Sequence, residues 1–216
     1  MTLLFGSPKL TTDRRPLLPM PLEVEAKLKV DDHAVVRERL RALGASYQGQ
    51  VTETNRIFDS ADRTLLAGGR GLRVRSSVTA DGRTLGTLTY KGPLQPGDLK
   101  SREEIETKLE DPQSTAAILT ALGFVEVVRF EKRRESWHLG DCHIELDEVP
   151  HLGCYVEIEG SDEPTIRRVQ ADLGLAHLTH IPSSYIALLA KHCRAHDLPT
   201  LPITFPNQDI CPWTGS

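Results

Sequence analysis

A short motif of alternating charged and apolar residues occurs twice, and it constrains the fold more than any other feature. The segment EVEAK spans residues 23–27, and EIETK spans residues 104–108. Because successive strand side chains point to opposite faces, the two carboxylates and the lysine of each motif line one face of a sheet. Neighbouring carboxylates repel each other unless cations lie between them. The repetition therefore predicts a sheet face that holds metal ions.

Strand-like and helical runs follow one another along most of the chain. Strands are predicted at about 22–30, 47–59, 71–78, 84–91, 102–109, 124–138, 142–149 and 153–160. Helices are predicted from Asp31–Asp32 to Leu43, from Asp111 to Gly123, and at about 163–173 and 183–195. Residues 1–20 and 198–216 contain several prolines and no periodicity, which predicts an arm and a tail around a folded unit of residues 21–197.

Most predicted strands carry charge on one face and apolar residues on the other. Alternation alone does not decide whether the charged face meets solvent or lines a closed sheet. Solvated faces usually mix both signs, whereas here one strand offers only carboxylates and the next only cations. With four predicted helices to cover the apolar side, the pattern favours an α+β fold, an eight-stranded barrel with a charged interior and helices outside.

The two motifs also relate two halves of the chain. Aligning Glu23 with Glu104 aligns Leu28 with Leu109, and the helices that follow both end in Ala-Leu-Gly, at Gly44 and Gly123. This pattern predicts an internal repeat, in which two similar halves close one barrel with approximate two-fold symmetry.

The charged residues on the predicted inner face form an acidic set and a basic set. The acidic set is Glu23, Glu25, Glu104, Glu106, Glu145, Asp147, Glu157 and Glu159. The basic set is Lys27, Arg73, Arg75, Lys91, Arg102, Lys132 and Arg134. Carboxylate oxygens suit Mg²⁺ or Mn²⁺ rather than zinc, and arginine and lysine suit phosphate oxygens. Together they predict a site for a highly charged phosphate chain and its metal ions.

Composition argues against several partners and locations. A formal net charge of -4 disfavours bulk electrostatic binding of nucleic acid, and no apolar run approaches the length of a membrane span. The N-terminus lacks the basic-then-apolar order of a signal peptide, and the four cysteines show no CxxC spacing. We therefore expect a reduced, cytoplasmic protein without a nucleic-acid or membrane partner.

The ordered motifs resemble those of CYTH domains, the triphosphate tunnel metalloenzymes. EVEAK at 23–27 looks like the ExExK signature, and the similarity continues through LRVR at 72–75, TYK at 89–91, RxExE at 102–106, KxR at 132–134 and LDEVPxLGxYxExE at 146–159. The resemblance covers roughly residues 22–195. It implies an eight-stranded antiparallel tunnel that binds a triphosphate and one or two divalent metals, Mg²⁺ or Mn²⁺.

The resemblance also implies roles for individual residues. The signature residues Glu23, Glu25 and Lys27 are expected to take part in catalysis. Phosphate oxygens would be held by Lys27, Arg73, Arg75, Lys91, Lys132 and Arg134, and the metals would lie nearest to Glu23, Glu25, Asp147, Glu157 and Glu159. Arg102 either touches substrate or pairs with Glu104 or Glu106. Tyr185 resembles a family tyrosine near the tunnel mouth, although core packing explains it equally well.

The family supports hydrolysis of inorganic, nucleoside or thiamine triphosphates and cyclisation of ATP to cyclic AMP. Its bacterial cyclases often carry His-Phe shortly before ExExK, where this chain reads LPMPL at 18–22. That difference favours a metal-dependent triphosphatase over a class IV adenylate cyclase. A non-catalytic triphosphate- or polyphosphate-binding module is a further alternative. The expected small-molecule partner is tripolyphosphate, ATP or thiamine triphosphate, and a homodimer is left open.

Overall fold

Within the described residues, eight antiparallel strands close into one barrel, and five helices accompany them. The computed structural model describes residues 22–96, 99–198 and 202–206, and it gives residues 22 and 23 by their backbone alone. The predicted arm 1–20 lies outside the described residues, as does the predicted tail except for residues 198 and 202–206.

The strands are β1 (Leu22–Lys29), β2 (Ser46–Ser60), β3 (Gly71–Thr79), β4 (Thr84–Lys91), β5 (Lys100–Leu109), β6 (Phe124–Leu139), β7 (Cys142–Val149) and β8 (Gly153–Gly160). The helices are α1 (Ala34–Ala42), α2 (Thr64–Ala67), α3 (Pro112–Ala121), α4 (Glu163–Asp172) and α5 (Tyr185–Ala195). Around the barrel the strands follow the order β1-β5-β4-β3-β2-β6-β7-β8. Every predicted strand is present, and the predicted barrel is confirmed. The short helix α2 was not predicted.

Helix ends follow from local side-chain chemistry. At α3, the Asp111 carboxylate accepts the backbone N–H groups of Gln113 and Ser114 at 2.9 and 3.0 Å, which satisfies two of the donors that a helix start leaves open. At α5, the Ser184 hydroxyl accepts the Ala187 N–H at 3.2 Å. The glycines Gly44 and Gly123 have φ of 72° and 90°, a conformation that favours glycine and ends a helix.

The apolar core lies outside the barrel, between the sheet and the helices. The largest buried cluster joins the outer faces of β1, β7 and β8 to α1 and α4. Its members include Leu28, Ile144, Val156, Leu40 and Ile166, each fully buried. Burying such a side chain contributes about 1.5–3 kcal/mol. The outward-facing residues of these strands thus stabilise the fold by packing against the helices, and the inward-facing residues can be charged.

The strand order agrees with the predicted internal repeat. In the repeat, β1, β2, β3 and β4 correspond to β5, β6, β7 and β8. When each strand is exchanged with the corresponding one, the order around the barrel is unchanged except that it runs in the opposite direction. Leu22 faces Glu103 across the β1–β5 ladder, and these residues are as far apart in sequence as Glu23 and Glu104. The β2–β6 ladder therefore lies on the opposite side of the barrel, where it crosses the same approximate two-fold axis.

The C-terminal segment 202–206 lies against β6. β7 pairs with β6 only from Arg133 onward, and the preceding part of β6 is paired by Ile203 in a parallel bridge with Phe130. Ile203 is 5% exposed. This part of the predicted tail is therefore packed against the barrel. None of the helices in the described part of the chain is long and apolar enough to span a membrane.

Candidate functional site: a charged tunnel

The barrel interior contains a cavity of about 830 Å³ that is lined mainly by charged side chains. Predicted inner-face residues that line it are Glu25, Lys27, Arg73, Arg75, Lys91, Arg102, Glu104, Glu106, Lys132, Arg134, Glu145, Glu157 and Glu159. Asp147 is fully buried directly behind Lys132 and Arg134. Only the backbone of Glu23 is described, so the position of its carboxylate stays a prediction.

Three neighbouring strands, β7, β8 and β1, bring carboxylates together on one wall. In the register, Glu145 faces Glu157, and Glu25 faces Glu159. Side chains that face each other across antiparallel strands have Cβ atoms about 4.5–5.5 Å apart. We call Glu25, Glu145, Glu157 and Glu159 the acidic wall.

Cations dominate the strands on the other side of β1. Glu104 on β5 accepts from Lys91 and, at 3.2 Å, from Arg102. Glu106 lies 3.6 Å from Arg73. These two carboxylates therefore pair with cations of β3, β4 and β5, apart from the acidic wall. Arg102 pairs with Glu104, one of its two predicted roles.

Asp147 is bound by side chains from β6 and from α5. Lys132 Nζ lies 3.0 Å from Asp147 Oδ2, and the Arg134 guanidinium donates to both Asp147 oxygens at 2.7 Å. The Tyr185 hydroxyl donates to Asp147 Oδ2 at 2.9 Å. Bidentate arginine pairs fix the orientation of a carboxylate. Asp147 is therefore held rigidly, and it holds two predicted phosphate-binding cations in place.

The structure adds three tunnel residues that the sequence analysis missed. Glu53 is 2% exposed and lies 2.9 Å from Arg75, whose Nε also donates to Asn55 at 3.0 Å. Lys100 Nζ lies 2.7 Å from Glu25 Oε2. Glu53 and Asn55 alternate with Ile57 on one face of β2, which could have predicted that they point inward. The alternation is hard to recognise because the opposite face of β2 also carries polar residues. Lys100 was missed because β5 begins before its predicted start at residue 102.

Burial and charge act against each other on the tunnel pKa values. Burial alone would raise the pKa of Glu157, but Lys27 and Arg134 hold it well below the usual carboxyl range. Burial likewise opposes ionisation of Glu53, and nearby arginine and lysine again leave its pKa below the ordinary value. Burial raises the pKa of Glu145. Burial, with the neighbouring charge of Arg75, lowers the pKa of Arg73 to about 10.

Two buried polar atoms in the tunnel make no hydrogen bond within the protein. They are Arg73 Nε on the basic side and Glu25 Oε1 on the acidic wall. Buried donors and acceptors are normally satisfied, so such atoms point to a missing partner. Arg73 offers an N–H to an anion, and Glu25 offers an oxygen to a cation.

The acidic wall fits a divalent metal that arrives together with its substrate. Among the residues with described side chains, no three carboxylates or imidazoles are already grouped as a metal cage. Mg²⁺ is commonly bound by one or two carboxylates and completed by substrate phosphates and water. Glu25 Oε1 makes no hydrogen bond and lies 3.5 Å from Lys27 Nζ, and Glu157 and Glu159 lie on the paired strand, an arrangement that matches this mode of binding.

Tyr185 connects α5 to the charged centre. Lys27 Nζ and Lys132 Nζ lie 4.3 and 5.4 Å from the centroid of its ring. Lys27 Nζ also donates to the Ser183 carbonyl at 3.1 Å. Tyr185 is 8% exposed and belongs to a buried apolar cluster. Tyr185 therefore packs in the core and also contacts the charged site through its hydroxyl and its ring, while a position near the tunnel mouth stays a prediction.

The fold and the site define a closed antiparallel barrel whose interior brings cations and carboxylates together. The sequence matches the CYTH domain family over residues 21–185, and the chain belongs to this family. It is 36% identical over 140 residues to a Methanocaldococcus jannaschii protein named "Putative adenylate cyclase", a match that covers 65% of this chain and 77% of the relative.

Solved structures with the same fold include the PH1819 protein from Pyrococcus horikoshii OT3. It matches with a TM-score of 0.68 and 26% identity, over 78% of this chain and 98% of that one. A "Putative adenylyl cyclase" from Hippeastrum, described as revealing a dominant triphosphatase activity, matches with a TM-score of 0.61 and 19% identity over 80% and 96% of the two chains.

Proposed function

We propose that this protein is a metal-dependent triphosphatase that hydrolyses inorganic or organic triphosphates inside its tunnel. One observation carries the proposal. The acidic wall and the cations of β3, β4, β5 and β6 line the same closed barrel. A triphosphate of high negative charge needs neutralisation on every side, and divalent cations accompany it. A tunnel that offers both kinds of group matches such a complex better than it matches a bare anion.

The cations bind and orient the phosphate chain. Arg73 is the first candidate, because its Nε–H has no partner in the protein and its burial strengthens an ionic hydrogen bond. Arg134 and Lys132 are fixed by Asp147, which pre-organises two further donors without reorganisation during the reaction. Lys27 stays charged, since Glu157 and Glu25 outweigh the effect of burial and raise its pKa.

The acidic wall is proposed to hold the metal, with Glu25, Glu157 and Glu159 as the main ligands and Glu23 as a further one. A bound divalent cation supplies Lewis-acid polarisation of the phosphoryl oxygens. Glu104 and Glu106 lie on β5, apart from the acidic wall, and we assign them to the orientation of Lys91, Arg102 and Arg73. Burial of the charged groups in the barrel strengthens their electrostatic contacts.

A class IV adenylate cyclase is the second candidate, favoured by the name of the Methanocaldococcus relative. Cyclisation needs the ribose 3′ oxygen aligned with the α-phosphorus and a pocket for the base. The tunnel lining is mainly charged, which suits a phosphate chain and its metal ions better than a nucleoside base, and this favours hydrolysis. A non-catalytic polyphosphate-binding module is disfavoured, since a pure anion binder gains affinity by losing carboxylates such as Glu157 and Glu159.

One assay separates these functions. The purified protein is incubated with tripolyphosphate, ATP or thiamine triphosphate, each with Mg²⁺ or Mn²⁺, and phosphate, pyrophosphate and cyclic AMP are resolved. A triphosphatase releases phosphate and pyrophosphate from tripolyphosphate. Cyclic AMP as the main product from ATP would overturn the proposal, and binding without turnover would indicate the binding module. Lys132→Met is the negative control for contaminating phosphatase, and Arg41→Met, which alters an exposed arginine of α1, is the active control.

A further inference from the structure

The C-terminal segment 202–206 completes the barrel where β7 stops short. Ile203 N–H donates to the Arg129 carbonyl at 2.9 Å, and Glu131 N–H donates to the Ile203 carbonyl at 2.9 Å. These bonds satisfy an edge of β6 that β7 does not reach. The segment therefore acts as a short additional strand, and its position is fixed by backbone pairing.

Two further contacts hold the segment in register. Phe205 N–H donates to the Glu131 carboxylate at 2.9 Å. The Arg133 guanidinium lies 4.0 Å from the centroid of the Phe205 ring, a cation–π geometry. Both contacts lie on the outward side of β6, so they anchor the segment without touching the tunnel.

The side chain of Ile203 lies behind residues that line the cavity. It belongs to one buried cluster with Phe130, Tyr185, Leu189 and Cys193. Phe130 and Tyr185 line the cavity. Leu189 and Cys193 lie on the buried face of α5, the helix that begins with Tyr185. Ile203 thus belongs to the same buried apolar cluster as the inward face of α5.

We propose that Ile203 is a positioning residue for the reaction: it keeps α5 seated so that Tyr185 holds Asp147, an inference that rests on the proposed function. None of the contacts described for residues 202–206 joins them to a cation expected to bind phosphate. Because Asp147 orients Lys132 and Arg134, loss of Ile203 should lower kcat more than it raises KM. Small displacements of positioned groups have large effects on rate, and we expect Ile203→Ala to lower kcat by about ten- to a hundredfold.

A double-mutant cycle tests this role. The effect of Ile203→Ala on kcat is measured in the wild type and in a Tyr185→Phe background, with KM followed in parallel. If Ile203 acts through Tyr185, its removal has little further effect once the hydroxyl is gone, and the two changes are non-additive. Equal losses in both backgrounds, or an unchanged kcat in the wild-type background, would overturn the inference.

Three controls separate positioning from a general loss of structure. Ile118→Ala makes the same change at an isoleucine of α3 that is 59% exposed, and it should leave kcat unchanged. Ile203→Val should restore most of the rate. If Ile203→Ala fails to fold, as judged by thermal unfolding, the cycle is run with Ile203→Val, whose smaller effect must also vanish in the Tyr185→Phe background. A wild-type protein without turnover refutes the proposed function, whereas turnover that is insensitive to Ile203 refutes this inference alone.

Discussion

Glu53 and Lys132 face each other across the β2–β6 ladder, with Lys132 Nζ 3.4 Å from Glu53 Oε2, and each residue is 2% exposed. A buried pair of this kind is stable only when both charges have further partners. Arg75 supplies a second cation to Glu53, and Asp147 supplies a second anion to Lys132. These four residues thus form one continuous network, in which removal of one charge leaves its neighbours without a partner.

Glu53→Gln should destabilise the fold. The change leaves Arg75 and Lys132 buried without their shared anion, and breaking a buried ion pair from one side costs about 3–5 kcal/mol. Urea unfolding at neutral pH measures the loss. Glu148→Gln is the control, because Glu148 is 36% exposed where it pairs with Arg133, and an exposed pair contributes about 0–1 kcal/mol. Equal stability of Glu53→Gln and the wild type would contradict the network.

Acid should weaken the fold through Glu53 and Glu157. Both have pKa values below the ordinary one in the folded state, because adjacent cations outweigh burial. Their contribution is complete above the unfolded-state pKa of about 4.3 and is lost as pH falls toward the folded-state value. Urea unfolding between neutral pH and about pH 3 should show a steep loss of stability below this value.

The same pH series in Glu53→Gln provides the control, since that variant has one group fewer to titrate. Its free energy of unfolding should fall less steeply with acid than that of the wild type. Parallel curves for the two proteins would show that Glu53 does not carry the predicted share of the acid sensitivity.

Arg73→Met should reduce catalysis more than it reduces stability. The Arg73 guanidinium has a free Nε–H for the substrate, and truncating one partner of a buried charge pair costs about 2–5 kcal/mol. We expect that loss in kcat/KM for tripolyphosphate, measured by steady-state phosphate release. Arg41→Met serves as the control because it makes the same change at an exposed arginine of α1. A wild-type rate in Arg73→Met would remove Arg73 from the phosphate site.

Glu159→Gln should abolish turnover while leaving the fold intact, because it removes an anionic oxygen from the acidic wall. Binding of Mn²⁺ in the presence of a non-hydrolysable triphosphate analogue, followed by electron paramagnetic resonance, should weaken at least tenfold, the range for loss of a site-forming interaction. Glu103→Gln alters an exposed carboxylate of β5 and is the control. Unchanged Mn²⁺ binding in Glu159→Gln would exclude Glu159 as a ligand.

The sequence predicts the strands and their inward-facing residues better than it predicts the ion pairs inside the barrel. Alternation in EVEAK and the closely related strands specifies which residues face inward, since a shift of one residue would bury charge among the helices. It does not specify which cation meets which carboxylate. Glu104 and Glu157 occupy similar motifs, yet Glu104 pairs with Lys91 and Glu157 with Lys27 and Arg134. Those pairings depend on strand order and register, which join distant parts of the chain.

The contribution of the C-terminal segment was likewise hidden from the sequence. Pro202 and Pro206 flank Ile203 and predict an irregular tail, because proline cannot donate to a ladder. The segment nevertheless finds the part of β6 that β7 leaves unpaired. That edge exists only because β7 is much shorter than β6, a mismatch that appears once the register is known.

Glu53 and Lys132 are separated by the same number of residues as Gly44 and Gly123, so they occupy equivalent positions in the two halves and meet on the approximate two-fold axis. In a symmetric pair of identical half-chains, a residue on the axis faces its own copy. Either two carboxylates or two ammonium groups would then meet in the buried centre, and both arrangements repel. Joining the halves in one polypeptide frees the two positions to differ. A single covalent chain can therefore place an attractive ion pair where the β2–β6 ladder crosses the axis, whereas a homodimer of identical halves cannot.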